Sequence, residues 1–201
     1  MESAKAKAIE IIQKNGGIIR TSEALALGIH RRTFYGLRNE GTIIPITRGL
    51  FRLADLDISV HVDLVEVSKK VPKGVICLIS ALSVHELTTQ TPHYVWLAID
   101  RKARKPKIEY PPVRVFFFTK KSFKSGIEIH QIMEHDVRVY NAPKTVIDCF
   151  KYHNIVGLDV AIEAAREYLK RKEASPAILL EYAKAFGIEK MVRPFLEALT
   201  I

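Results

Sequence analysis

Two short helical segments ended by glycine, with a β-hairpin pattern directly after them, constrain the fold of this chain most strongly. Residues 21–28 are predicted to form one helix with Thr21 as its N-cap, and residues 30–40 a second helix that a glycine ends. Two β-prone runs follow, 42–46 and 50–53, around a three-residue turn whose glycine can adopt a left-handed conformation. A tight helix-turn-helix followed by a hairpin is typical of a winged helix.

An amphipathic helix is predicted ahead of these segments. Apolar residues recur at helical spacing from Ala4 to Ile12, and the sequence Asn15-Gly16-Gly17 ends the pattern. After the hairpin pattern, the turn-forming sequence ADLDIS at residues 54–59 indicates a domain boundary. The predicted domains are therefore a winged helix-turn-helix over residues 1–56 and a larger domain over residues 57–201.

The second helix of the motif carries a basic face. Phe34 and Leu37 lie at i and i+3 and are expected to anchor this helix to the rest of the unit. The neighbouring stripe contains no acid and consists of Arg31, Arg32, Tyr35, Arg38 and Asn39. Arginine can bond the guanine edge and asparagine can pair with adenine, while Arg48 at the hairpin tip can reach the DNA backbone or a minor groove. The stripe and Arg48 are predicted to bind double-stranded DNA; the alternatives are a solvated basic face and a protein-docking module.

Composition is consistent with an anionic partner and a folded, reduced protein. The sequence has 31 lysines and arginines against 22 aspartates and glutamates, and 48% of its residues are hydrophobic. Cys77 and Cys149 are isolated, which is typical of free thiols in a reducing compartment. No apolar stretch approaches the ~20 residues that span a bilayer. We therefore expect a cytoplasmic protein without a membrane partner.

The rest of the chain is predicted to be α+β. Two helices, 64–71 and 80–87, come first, the latter with Ser80 as a candidate cap. The alternating patterns that follow predict an antiparallel sheet and then C-terminal helices. The predicted strands are 94–99, 113–118, 127–132 and 137–140, and the predicted helices are 143–153, 158–171, 176–186 and 188–199.

Basic residues are concentrated in two blocks of the sequence. Residues 1–56 hold nine basic and five acidic side chains, and residues 75–145 hold eleven and six. Within the second block, the segment RKARKPK carries five cations: Arg101, Lys102, Arg104, Lys105 and Lys107. This segment is either a solvated loop between two strands or a second patch that contacts phosphate.

Motifs of catalysis are weak or incomplete. The sequence has no phosphate-binding glycine loop, dinucleotide fingerprint or nucleophile elbow, and Thr89 breaks the zinc-protease motif that His85-Glu86 begins. We expect no catalytic residues, no metal and no cofactor. The alternative is a metal-dependent nuclease that the winged helix targets, and it requires a pocket in which Glu128, Glu134 and Asp136 cluster.

Four segments resemble the AbiEi-type antitoxins of bacterial type IV toxin–antitoxin systems. The first, GIHRRTFYGLRNEGTIIPITRGLFRL, ends in the family's wing pattern. The others are VPKGVICLISALSVHELTTQTPHYVWLAI, VRVYNAPKTVIDCFKYHNIVGLDVAIEAAREYL and MVRPFLEAL. Asn141 stands where serine is associated with the family, and both residue types are good N-caps.

The resemblance implies an autoregulatory repressor and antitoxin. Its winged helix would bind inverted repeats in the promoter of its own operon, and its C-terminal domain would counteract a nucleotidyltransferase-like toxin without a stable complex. By position, the DNA contacts fall on Arg31, Arg32, Tyr35, Arg38 and Arg48, and antitoxicity on the segment with Lys144, Thr145, Asp148 and Lys151. That segment can instead be a capped helix start in the domain core, and an orphan regulator without a toxin would show the same sequence features.

Overall fold

The computed structural model describes residues 2–56 and 60–199. The chain divides into two compact units. Unit 1 comprises Met1–Lys70 and His130–Val137, and unit 2 comprises Val71–Ile129 and Arg138–Ile201.

Unit 1 contains the predicted winged helix. Its three strands form an antiparallel sheet in the order β1-β3-β2, with Ile19 opposite Phe51 and Ile44 opposite Arg52. The turn between β2 and β3 uses Gly49 at φ 75°, the left-handed conformation that the sequence predicts. The elements are α1 (Glu2–Lys14), β1 (Ile18–Arg20), α2 (Thr21–Ala26), α3 (Arg31–Asn39), β2 (Ile43–Thr47), β3 (Leu50–Leu53) and α4 (Val60–Lys70).

The N-cap of α2 differs from the prediction. Arg20 occupies that position, and its backbone N–H donates to the carboxylate of Glu23 over 2.8 Å. Thr21 is already helical, and both its backbone N–H and its hydroxyl donate to the carbonyl oxygen of Gly49, over 2.9 and 3.4 Å. The threonine fails as a cap because the wing takes up its hydrogen-bonding groups.

The predicted boundary between residues 56 and 57 remains a prediction. It borders residues 57–59, which lie outside the described residues. The winged-helix strands end at Leu53, and α4, which follows the gap, is part of unit 1.

The turn at residues 133–134, which joins the strands Ile127–Ile132 and His135–Tyr140, also belongs to unit 1. A Cβ atom added to Gly16 would overlap the backbone carbonyl of Met133 in this turn, and Gly16 has φ +70°. A Cβ atom added to Gly17, at φ +76°, would lie 2.8 Å from a methyl group of Leu56. Gly16 therefore permits a close backbone approach, and both glycines end α1.

Unit 2 is α+β, as predicted. Its five-stranded sheet has the order β6-β5-β4-β8-β7. The sheet is mixed: β4 pairs antiparallel with β5, whereas β5 with β6 and β4 with β8 run parallel. The elements are β4 (Val75–Ile76), α5 (Leu78–Val84), β5 (Val95–Asp100), β6 (Val113–Phe118), α6 (Lys120–Lys124), β7 (Ile127–Ile132), β8 (His135–Tyr140), α7 (Ala142–Lys151), α8 (His153–Val156), α9 (Leu158–Leu169), α10 (Pro176–Ala185) and α11 (Glu189–Leu199).

Ser80 is not a helix cap. Cys77 precedes the first residue of α5, and Ser80 lies buried within the helix. Its hydroxyl oxygen accepts from the backbone N–H of Trp96 over 3.0 Å and the hydroxyl donates to the carbonyl of Tyr94 over 3.3 Å. The serine therefore ties α5 to the start of β5, a non-local role that helix-start patterns do not reveal.

None of the helices in residues 2–56 and 60–199 combines the length and the apolar character that crossing a bilayer requires.

Candidate nucleic-acid interface

Helix α3 is fixed to unit 1 by the two apolar residues that the sequence predicts. Phe34 and Leu37 are buried, and the ring of Phe34 meets that of Phe51 edge-on at a centroid distance of 5.1 Å. Burying such side chains contributes about 1.5–3 kcal/mol each. At the start of the helix, His30 Nδ1 accepts from the backbone N–H of Arg32 over 3.2 Å. The orientation of α3 is therefore set by its core side and its capped first turn.

The opposite side of α3 faces solvent. All five members of the predicted stripe are exposed: Arg31, Arg32, Tyr35, Arg38 and Asn39. Tyr35 is 37% exposed, and its ring meets Phe34 edge-on at 5.9 Å. The helix spans nine residues, which corresponds to a length of about 14 Å, close to the ~12 Å width of the DNA major groove.

The wing presents a further cation. Arg48 is exposed at the turn between β2 and β3. The carbonyl of Gly49 receives the two bonds from Thr21 described above, so the turn is attached to the first residue of α2. This attachment fixes the backbone that carries Arg48 relative to the helix-turn-helix.

An ion pair lies at the end of the basic stripe. Glu40 follows α3 directly, and its carboxylate contacts the Lys5 ammonium of α1 at 2.5 Å. The pair rims a groove of about 410 Å³ between α1 and α3, which is also lined by Arg32, Tyr35 and Asn39. Lys5 thereby neutralises the acid that directly follows the stripe in sequence. A Cβ at Gly36, in the same groove, would meet nothing within 4 Å.

The basic segment of unit 2 is a loop between β5 and β6, and all five of its cations are exposed: Arg101, Lys102, Arg104, Lys105 and Lys107. The structure brings the start of this loop to the end of β6, because the backbone N–H of Arg101 donates to the carbonyl of Phe118 over 2.8 Å. Contact of the loop with phosphate remains a prediction.

The segment proposed for antitoxicity is largely inside unit 2. Lys144, Thr145 and Asp148 are fully buried, and Lys151 is half-buried. Asn141 caps α7 by accepting from the Lys144 backbone N–H over 3.0 Å. A capped helix start in the domain core is therefore the better description of these residues.

Lys144 and Asp148 form a buried ion pair within an aromatic cluster. The Lys144 ammonium lies 3.4 Å from the ring centroid of Tyr140 and 4.8 Å from that of Phe118. Burial lowers the pKa of Lys144 and raises the pKa of Asp148, and the contact between the two groups opposes both shifts. The pair has no access to a partner at the surface.

The three carboxylates of the nuclease alternative are exposed. Glu128, Glu134 and Asp136 all face solvent, and Asp136 accepts a hydrogen bond from the side chain of Gln131. A two-carboxylate metal site of a nuclease needs its acids gathered in one pocket. The exposed positions of these acids do not favour that alternative.

The three helices, the three-stranded sheet and the wing define a winged helix-turn-helix protein. Residues 7–54, which form this part of the chain, match the family model described as "Transcriptional regulator, AbiEi antitoxin". The match confirms the family resemblance over the N-terminal segment.

Comparisons with whole proteins extend the fold assignment. No curated protein matches the sequence significantly. A similar solved structure is the crystal structure of the RV2827C protein from Mycobacterium tuberculosis, with a TM-score of 0.57 and 9% sequence identity. The similarity covers 97% of this chain and 81% of that one. At this identity the two chains share a fold, and the shared fold includes unit 2.

Proposed function

We propose that this protein is a DNA-binding transcriptional repressor and antitoxin. It recognises inverted repeats in the promoter of its own operon and counteracts a nucleotidyltransferase-like toxin without forming a stable complex with it. The observation that carries the proposal is the acid-free, exposed stripe on α3, in a winged helix that matches a transcriptional-regulator family.

The DNA contacts follow from the position of each side chain on the motif. In helix-turn-helix proteins the N-terminal residues of the second helix meet base edges, so Arg31, Arg32 and Tyr35 are assigned to bases. Arg38 and Asn39, one turn later, hold phosphate or the groove edge. Arg48 on the wing contacts the neighbouring backbone or minor groove.

Electrostatics support a nucleic acid over an acidic protein as the partner. The Lys5 ammonium neutralises Glu40, so the surface of α3 presents cations without a competing carboxylate. A dense line of cations gains the most from a partner whose charges repeat at short intervals, because each phosphate contact releases counterions. A docking adaptor, by contrast, would bind DNA without sequence preference.

The antitoxin role is assigned to unit 2 as a whole. The burial of Lys144 and Asp148 supports a scaffold role for that pair, which leaves Lys151 as the accessible residue of the predicted segment. Both cysteines are free and buried, which agrees with function in the reducing cytoplasm. An orphan regulator that binds DNA without opposing a toxin is the second candidate.

Footprinting tests the repressor role directly. The full-length protein is titrated onto the DNA upstream of its own gene, at about 150 mM salt. We expect two protected half-sites with dyad symmetry and centres about one helical turn apart, or a multiple of it. Protection that spreads evenly along the fragment, or none at all, would contradict sequence-specific repression.

Co-expression tests the antitoxin role separately. The neighbouring gene, if it encodes a nucleotidyltransferase-like protein, is induced with and without this chain while growth is followed. Growth that this chain rescues supports the antitoxin assignment. Unchanged toxicity despite a normal footprint would leave the orphan-regulator function.

A further inference from the structure

The chain around β6 carries a second concentration of positive charge, on unit 2. Between positions 101 and 124 the sequence has nine basic residues and one acid, Glu109. All nine cations are exposed. They comprise the five of the loop before β6, then Arg114 on the strand, and then Lys120, Lys121 and Lys124 on α6.

Strand pairing brings the two ends of this segment together. Strands β5 and β6 run parallel, with Asp100 opposite Phe118, so the turn after β5 and helix α6 after β6 lie at the same edge of the sheet. The bond from Arg101 to Phe118 joins them directly. Arg101 and Lys102 therefore share one edge of unit 2 with the three α6 lysines.

These cations have no acidic partner among the described residues. None of the nine forms an ion pair with a side chain in residues 4–46, 48–56 or 61–199. The nearest acid in sequence, Asp100, accepts from the backbone N–H of Lys102 over 2.9 Å. Like charges gathered in this way repel one another, and a polyanion relieves that repulsion.

An exposed aromatic ring lies along the same strand. β6 is an edge strand of the sheet, and Phe117 on it is 45% exposed. Arg114, at the other end of the strand, lies over the ring of Trp96 at 5.1 Å. Side chains alternate between the two faces of a strand, so Arg114 and Phe117 emerge on opposite faces, and Phe117 lies next to the end of β6 that adjoins α6. Exposed lysines with a free aromatic ring beside them are a combination that proteins use to bind single-stranded nucleic acids.

We propose that β6, the loop before it and α6 form a second nucleic-acid-binding surface. It holds a single strand of DNA or RNA through its phosphates, and Phe117 stacks on an unpaired base. This surface is independent of the winged helix, and its ligand differs from the duplex operator.

The test measures fluorescence anisotropy of a labelled 15-nucleotide single strand, as DNA and as RNA. The full chain carries Arg31→Ala, Arg32→Ala and Arg48→Ala, which removes three of the four cations assigned to the winged-helix interface. In this background, the cluster variant combines Lys120→Gln, Lys121→Gln and Lys124→Gln. The control variant removes the same charge from exposed lysines elsewhere on unit 2, by Lys172→Gln, Lys184→Gln and Lys190→Gln.

We expect the cluster variant to bind at least about tenfold more weakly than the control variant. The slope of log affinity against log salt should become less steep by about 2, the value for three lost phosphate contacts to a single strand. Phe117→Ala should weaken binding about fivefold or more through lost stacking. Comparison of the DNA strand with the RNA strand shows which of the two this surface prefers.

Two results would overturn the proposal. One is equal binding by the cluster and control variants, with thermal unfolding showing that both are folded. The other is loss of all single-strand binding in the winged-helix background alone, since the winged helix would then account for it. Neither result depends on whether the operator footprint is found.

Discussion

The Lys5–Glu40 ion pair offers the most discriminating perturbation of the DNA interface. Lys5→Ala leaves the Glu40 carboxylate uncompensated directly beyond α3, next to Arg38 and Asn39. The side chains of Lys5 and Glu40 are 33% and 50% exposed. A pair this exposed contributes ~0–1 kcal/mol to folding, so the variant should remain folded.

Its effect on DNA binding should be larger than its effect on stability. A carboxylate about 8 Å from one phosphate costs about 0.5 kcal/mol in bulk water and about 2 kcal/mol at the effective dielectric constant of a protein surface. Lys5→Ala should therefore weaken operator binding about 2- to 30-fold. Removing the carboxylate as well, in Lys5→Ala/Glu40→Gln, should recover most of that loss.

A matched control lies on the same helix. Lys14 pairs with Glu10 at 2.7 Å, and both are exposed. Lys14→Ala removes the same charge and frees the same kind of acid, about 14 Å further along α1. Anisotropy titrations of one operator duplex compare the variants. Equal losses for Lys5→Ala and Lys14→Ala, or no recovery in the double variant, would refute the assignment of this end of α3 to the interface.

Three further predictions concern stability. Gly36→Ala should raise the free energy of unfolding by about 0.5–1 kcal/mol, because a Cβ there meets nothing within 4 Å; a lower urea midpoint would contradict this. Lys144→Met should lower the free energy of unfolding by about 3–5 kcal/mol because it leaves the Asp148 carboxylate buried without its partner. Lys144→Met/Asp148→Leu should recover most of that loss. An unchanged free energy of unfolding in the single variant would exclude a structural ion pair. Burial lowers the pKa of His135 from its usual 6.5. Between that lowered folded-state pKa and about 6.5 the unfolded chain binds more protons, so the free energy of unfolding decreases as the pH decreases, and His135→Asn should reduce that slope in urea titrations.

The winged helix could be predicted from sequence because its signals are local. Helix α3 needs only the spacing of Phe34 and Leu37 and a following glycine, and the wing needs a glycine at its turn. The exposure of the basic stripe follows from the same helical period. These features depend on residues within one or two turns of each other.

The features that sequence patterns missed depend on distant partners. Strand β4 has only two residues, and it exists because β5 and β8 flank it. Thr21 and Ser80 resemble caps locally, yet their hydroxyls bond the wing and β5. The parallel pairing of β5 with β6 likewise follows from the crossover loop and not from residue alternation.

The candidate interface likewise has some features that the sequence predicts and others that depend on tertiary contacts. The cations of α3 could be identified from spacing, whereas the neutralisation of Glu40 by Lys5 joins residues 35 positions apart. The burial of Lys144 and Asp148 is also set by tertiary packing, since a lysine and an aspartate at i and i+4 are typical of an exposed helix face. Sequence patterns located the charges but not the environments that decide their roles.

Operator affinity of an Arg31→Ala/Arg32→Ala variant tests the central claim most directly. The titration uses the full chain and the footprinted duplex, with Arg166→Ala/Lys172→Ala, which removes two exposed cations of unit 2, as the matched control. Loss of two base contacts at about 1 kcal/mol or more each predicts binding at least about 30-fold weaker than the control, with reduced preference between operator and unrelated DNA. Affinity within twofold of the control variant would contradict the assignment of α3 to the DNA interface.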